Sequence, residues 1–103
     1  MAKIIIKVKI LKSLRERVRG LLFFRKPFPV FIETRFGIHT FGLSFPIDVL
    51  VLDEANKVTT TKRLKQNRIF LWSPKFNKIL ELPSGTIEGK NIKLGDQIQL
   101  IVQ

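Results

Sequence analysis

The six residues Ile47-Asp48-Val49-Leu50-Val51-Leu52 constrain this chain more than any others. Side chains alternate across a strand, so Ile47, Val49 and Val51 take one side while Leu50 and Leu52 take the other. Both sides are apolar, which predicts a central strand covered on both faces. Pro46 lacks an amide proton and suits the first position of such a strand. Asp48 shares its face with Leu50 and Leu52. A carboxylate there must be hydrogen-bonded, paired or at the rim of the sheet, because an unpaired buried charge is expensive. Asp53-Glu54-Ala55-Asn56-Lys57 follows as a turn, and the stretch leading into the strand carries the one histidine, His39.

The remaining pattern is that of a β protein. Ile4, Ile6, Val8 and Ile10 alternate with Lys3, Ile5, Lys7 and Lys9, giving a strand with one buried face and a lysine-bearing outer face of the kind that guards a sheet edge. Ser13-Leu14-Arg15-Glu16 has the form of a capping box and predicts a short helix over residues 14–19, ended by Gly20. Two prolines, Pro27 and Pro29, predict an extended connection. Strands are expected at 30–32, 69–72, 76–82 and 97–102, the last with Ile98, Leu100 and Val102 inward. Residues 49–52 and 58–61 are expected to pair as a hairpin, followed by a polar, basic loop over 62–68. Turn signals recur every ~8–12 residues, the spacing of sandwiches and barrels. The fold class expected is mainly β: one domain over residues 1–103, sandwich or barrel-like, with seven to eight short strands and one short helix.

A resemblance supports this. The stretch from Gly37 to Asp53 resembles the signature of an uncharacterised conserved family, the domain of unknown function 192, also described as an uncharacterised ACR family. Arg19-Gly20-Leu21-Leu22-Phe23-Phe24-Arg25, Ile79-Leu80-Glu81-Leu82-Pro83-Ser84-Gly85-Thr86 and Ile92-Lys93-Leu94-Gly95-Asp96 fit the pattern in the same order. Phe41-Gly42-Leu43 departs from it, lacking the tryptophan that many members carry beside the phenylalanine. The resemblance implies a mostly β, sandwich-like domain and no established activity.

Charge is the largest compositional anomaly: 19 bases against 8 acids give a formal net charge of +11. Residues 62–78 hold six bases and no acid. Such clustering suits an anionic partner, whether nucleic acid, another polyanion or a membrane surface. It also suits a lysine-rich solvated surface of the kind found in proteins from hot environments. No apolar run approaches the ~18 residues that span a bilayer. The N-terminal lysines do not leave a separate hydrophobic core for a signal peptide, so the chain reads as cytoplasmic. The absence of cysteine excludes disulfides, thiol catalysis and thiolate metal sites.

Glycine-rich phosphate loops, Gly-x-Ser-x-Gly and His-Glu-x-x-His are all missing. Candidate chemistry therefore rests on isolated polar residues. His39 suits a general base or ligand, or a half-buried ring donating to a backbone carbonyl. Asp48 suits a site carboxylate, a turn cap or the partner of an arginine. Glu81, between leucines, suits a carboxylate converging with the other two or a solvent-facing strand residue. Together His39, Asp48 and Glu81 could serve a metal-assisted enzyme, although one histidine cannot make a histidine-rich metal site. Arg25 suits pairing with one of these acids or bidentate recognition of a carboxylate. For nucleic acid the candidates are Arg63, Lys65, Arg68, Lys75 and Lys78, with Phe70 and Trp72 either stacking on bases or packing in the core. The leading expectation is a binding module without catalysis. Ligand and cofactor stay open, with no metal assigned.

Overall fold

The computed structural model describes residues 3–11, 29–35, 37–41, 43 and 45–103. The expected helix over 14–19 and the candidate Arg25 lie outside these residues. Eight strands and one short helix are present among them: β1 Lys3–Leu11, β2 Val30–Glu33, β3 Ile38–His39, β4 Ile47–Leu52, β5 Val58–Leu64, β6 Ile69–Phe70, β7 Lys78–Pro83, α1 Thr86–Gly89 and β8 Gln97–Val102. Six strands form one curled sheet in the order β5-β4-β7-β2-β1-β8, and β3 pairs with β6 in a small second sheet. The fold is therefore the mainly β, barrel-like one that the sequence predicts.

The apolar run at 47–52 becomes β4, and all six of its side chains are buried. It lies between β5 and β7, antiparallel to both. Leu50 and Leu52 face the concave side of the sheet with Ile6, Val8, Phe31, Val58, Leu80, Leu82 and Ile98. Val49, Val51 and Ile47 face the outer side with Val30, Ile32, Leu64 and Ile79, where Ile38 of the small sheet covers them. Two apolar faces on one strand thus require two cores, and the small sheet exists to cover the second.

Among the described residues the sheet closes on itself at one end. Lys57 bridges to Gln97. The Val58 amide donates to the Asp96 carbonyl at 2.9 Å, and the Ile98 amide to the Asn56 carbonyl at 2.9 Å. The turn that makes this possible is built by Asp53, whose Oδ1 accepts the amides of Ala55 and Lys57, each at 2.9 Å. Asn56 takes a positive φ of 61° there, a conformation asparagine tolerates well. Gln97 Nε2 also donates to the Ala55 carbonyl. Across the open side runs the connection from β7 to β8. Its Ile87 and Ile92 pack into the concave core.

Several expectations change. β1 is not an edge strand: β2 and β8 flank it, both parallel to it. β5 runs on through Lys62, Arg63 and Leu64, because Leu64 is buried against the outer core and extends the alternation. The basic loop therefore shortens to 65–68. β6 stops at Phe70, and Val102 ends β8 exposed rather than inward. Helix α1 carries a single turn, too short for periodicity to reveal.

Candidate functional site

Asp48 projects from β4 into the concave core and is fully buried. Its charge is balanced by three donors. Arg63 Nε, from the paired position on β5, donates to Oδ1 at 3.1 Å. The amides of Gly85 and Ile87 donate to Oδ2, each at 3.0 Å. Gly85 is the residue before α1 and has a φ of 93°. It has no side chain to cap the helix, so Asp48 supplies the acceptor from another strand. Arg63 Nη2 reaches on to Glu88 Oε1 at 3.0 Å. These contacts pin the crossing connection to the sheet. The hydrogen bond to Asp48, then the charges of Asp48 and Glu88, raise the Arg63 pKa above its ordinary value. A base with a raised pKa contributes fully below its unfolded pKa and loses that contribution as the pH rises through its folded pKa. Arg63 therefore stays charged across the neutral range. Asp48 thus has the arginine partner that one of its sequence alternatives expects.

Glu81 faces the other way. Cross-strand partners share a face, and Glu81 is opposite Val30 and Val49 while Asp48 is opposite Leu82. Glu81 is 1% exposed beneath the small sheet, not solvent-facing. The two carboxylates thus lie on opposite sides of one sheet and do not converge. His39 is in the small sheet, half-buried, with its ring stacked on Phe41 at 5.3 Å between centroids. Its Nδ1 is buried without a hydrogen-bond partner. Among the described residues no group of three His, Cys, Asp or Glu is placed to hold a metal ion.

The basic candidates separate as well. Arg63 is committed to Asp48 and Glu88. Lys78 Nζ donates to the Glu54 carbonyl and to Asn56 Oδ1, each at 3.1 Å, and so braces the β4–β5 turn. Lys75 lies over the Phe76 ring at 5.6 Å and lines a different cleft of 490 Å³ with Asp53 and Glu54. Lys65 and Arg68 remain together. With Lys62, Arg63, Leu64 and Ile69 they line a groove of 350 Å³ along the free end of β5. No acid is among these lining residues. Lys62, Lys65 and Arg68 are exposed and, among the described residues, none pairs with a carboxylate.

Thr40 holds this groove in shape, and nothing in the sequence marked it. It is fully buried. Its Oγ1 donates to the Lys65 carbonyl at 2.7 Å and accepts the Arg68 amide at 2.8 Å. The Thr40 amide donates to the Arg68 carbonyl at 2.8 Å, and the Asn67 amide to the Thr40 carbonyl at 3.2 Å. One side chain thus satisfies a loop whose backbone would otherwise be left to solvent. Asn67 at the tip has a φ of 60°. Lys62, also not singled out, belongs to the same basic cluster and could have been found by following strand alternation past Thr61.

Trp72 and Phe70 pack against the outer core, and Trp72 Nε1 donates to the Phe76 carbonyl at 2.8 Å. Both are half-buried. Among the described residues the exposed aromatic is Phe41.

The model of the family described as domain of unknown function 192, an uncharacterised ACR, matches residues 2–100. The chain belongs to that family. This member is 32% identical over 104 residues to a UPF0127 protein of Thermococcus sibiricus, spanning 94% of this chain and 68% of that one. Its fold is similar to a structure from Sinorhizobium meliloti described as a "putative transcription regulator", with a TM-score of 0.70, 16% identity and coverage of 87% of this chain and 78% of that one. A protein of unknown function from Novosphingobium aromaticivorans gives 0.71 at 14% identity, covering 87% and 71%. At these identities the likeness concerns the fold. No helix among the described residues is long and apolar enough to cross a membrane.

Proposed function

We propose that this family member is a cytoplasmic, non-catalytic binding domain whose groove beside β5 takes up an anionic, phosphate-bearing partner. One observation carries this reading: Lys62, Lys65 and Arg68 surround a groove without a lining acid, on a loop ordered by Thr40. The loop backbone that carries Lys65 and Arg68 is held by Thr40, and an anion has no internal salt bridge of these three cations to displace, so their charge is available to it. His39, Asp48 and Glu81 offer less support for the metal-assisted alternative, since the two acids face opposite sides and Asp48 already accepts three hydrogen bonds. Nucleic acid is one class of partner with the required phosphates. The description of the S. meliloti neighbour as a "putative transcription regulator" is compatible with it.

The test is an amide chemical-shift titration with inorganic polyphosphate at low salt. Shifts concentrated at residues 62–69 and Thr40 are expected. Shifts absent, or centred on the cleft of Asp53, Glu54 and Lys75, would refute the groove.

A further inference from the structure

Beside the groove lies a surface that phosphate contacts alone do not use. In the small sheet Ile38 pairs with Phe70 and His39 with Ile69. Ile38 and Phe70 turn inward to the core, so by alternation His39 and Ile69 form the outward row. Leu71 extends that row over Gly37: a Cβ on Gly37 would meet Leu71 Cδ2 at 2.5 Å and the Phe70 carbonyl at 2.8 Å. Phe41 completes it against His39. Ile69 is 63% exposed, Leu71 67% and Phe41 48%. Ile69 also lines the cationic groove, and Phe41 follows Thr40, whose hydroxyl engages the Lys65 and Arg68 backbones. Cations and the apolar row are therefore one continuous surface.

We infer that this surface binds single-stranded nucleic acid, with Lys62, Lys65 and Arg68 on the phosphates and the Phe41 ring as a platform for an unpaired base. The inference rests on the anion-binding reading of the groove and adds the base contact to it. Proteins that take single strands combine a basic groove with aromatic rings on which bases stack. Phe41 stacks against His39 at an interplanar angle of 30° while about half of it stays exposed, which leaves ring surface for a base. A duplex hides its base faces and offers this platform nothing. A second copy of this chain is disfavoured as occupant because its own Lys62, Lys65 and Arg68 would meet these.

The experiment is fluorescence anisotropy with a labelled single-stranded 12-mer, the matching duplex and vesicles containing phosphatidylglycerol, alongside polyphosphate. Phe41→Ala should weaken the single strand roughly 5- to 150-fold, the range for one lost base–aromatic contact. Its salt slope should not change, because the phosphate contacts remain. Phe41→Leu keeps apolar volume without the ring and should lose nearly as much, while the duplex should bind more weakly than the single strand. Wild-type affinity for the single strand in both variants would overturn the inference. So would equal affinity for the duplex, or a Phe41 effect confined to the vesicles. Polyphosphate separates the two readings: if it binds and Phe41 has no role, only the base platform fails. If polyphosphate does not bind, the groove reading fails, and the inference that rests on it fails with it.

Discussion

The concave side of the sheet and the rim beside β5 treat polar groups in opposite ways. On the concave side Asp48 has a guanidinium and two amides as partners, in line with the high cost of leaving a buried charge unpaired. At the rim, Lys62, Lys65 and Arg68 are exposed and have no carboxylate partner among the described residues. Ile69 and Leu71 also face solvent there. Of the buried residues that look chemical, Asp48 is engaged by its three donors, whereas the side chains at the rim are exposed cations. A buried carboxylate that already accepts three hydrogen bonds has little capacity left for a ligand, whereas an exposed cation without a carboxylate partner has more.

The largest effect should come from breaking the saturated side. Asp48→Ala leaves the Gly85 and Ile87 amides without their acceptor and should lower the unfolding free energy in urea by about 3 kcal/mol. A loss under ~1 kcal/mol would mean that water replaces the carboxylate without difficulty. Gly37→Ala comes next. The φ of 105° and the approach of the Phe70 carbonyl leave no relaxed place for a methyl group, so a loss of about 2 kcal/mol is expected by the same assay. Thr40→Val preserves shape and removes the hydroxyl. It should cost about 1.5 kcal/mol and speed amide exchange at Arg68, and exchange at the wild-type rate would show that the loop is held by other contacts. The smallest stability change belongs to Lys62→Gln with Lys65→Gln and Arg68→Gln. As surface substitutions these should each stay within ~0.5 kcal/mol while removing the attraction for anions.

Strand positions were largely legible in the sequence because periodicity reports burial directly. The run at 47–52 announced a strand covered on both sides, and Asp48 within it announced a partner without naming one. The sequence hides the partner because Arg63 sits in a basic cluster and reads as one of its neighbours. Only the β4–β5 register sets it opposite Asp48. Register also separates Asp48 from Glu81. Each residue's phase is readable along its own strand, but which face meets which is decided between strands. Glu81 looked solvent-facing because alternation with Leu80 and Leu82 implies a polar side, and β7 instead has a core on both sides. Phe70 and Trp72 are large aromatics near cations in the sequence, whereas among the described residues the exposed ring is Phe41. Exposure of that kind is a tertiary fact, set by the small sheet turning Ile38 inward.

The most direct test of the central claim is the salt dependence of polyanion affinity, measured for wild type and for the Lys62→Gln, Lys65→Gln, Arg68→Gln variant. If these three side chains make the phosphate contacts, the slope of log affinity against log salt should be about −2 to −3 for wild type and close to zero for the variant. An unchanged slope in a variant that folds normally would contradict the claim, because the attraction would then arise elsewhere on the surface.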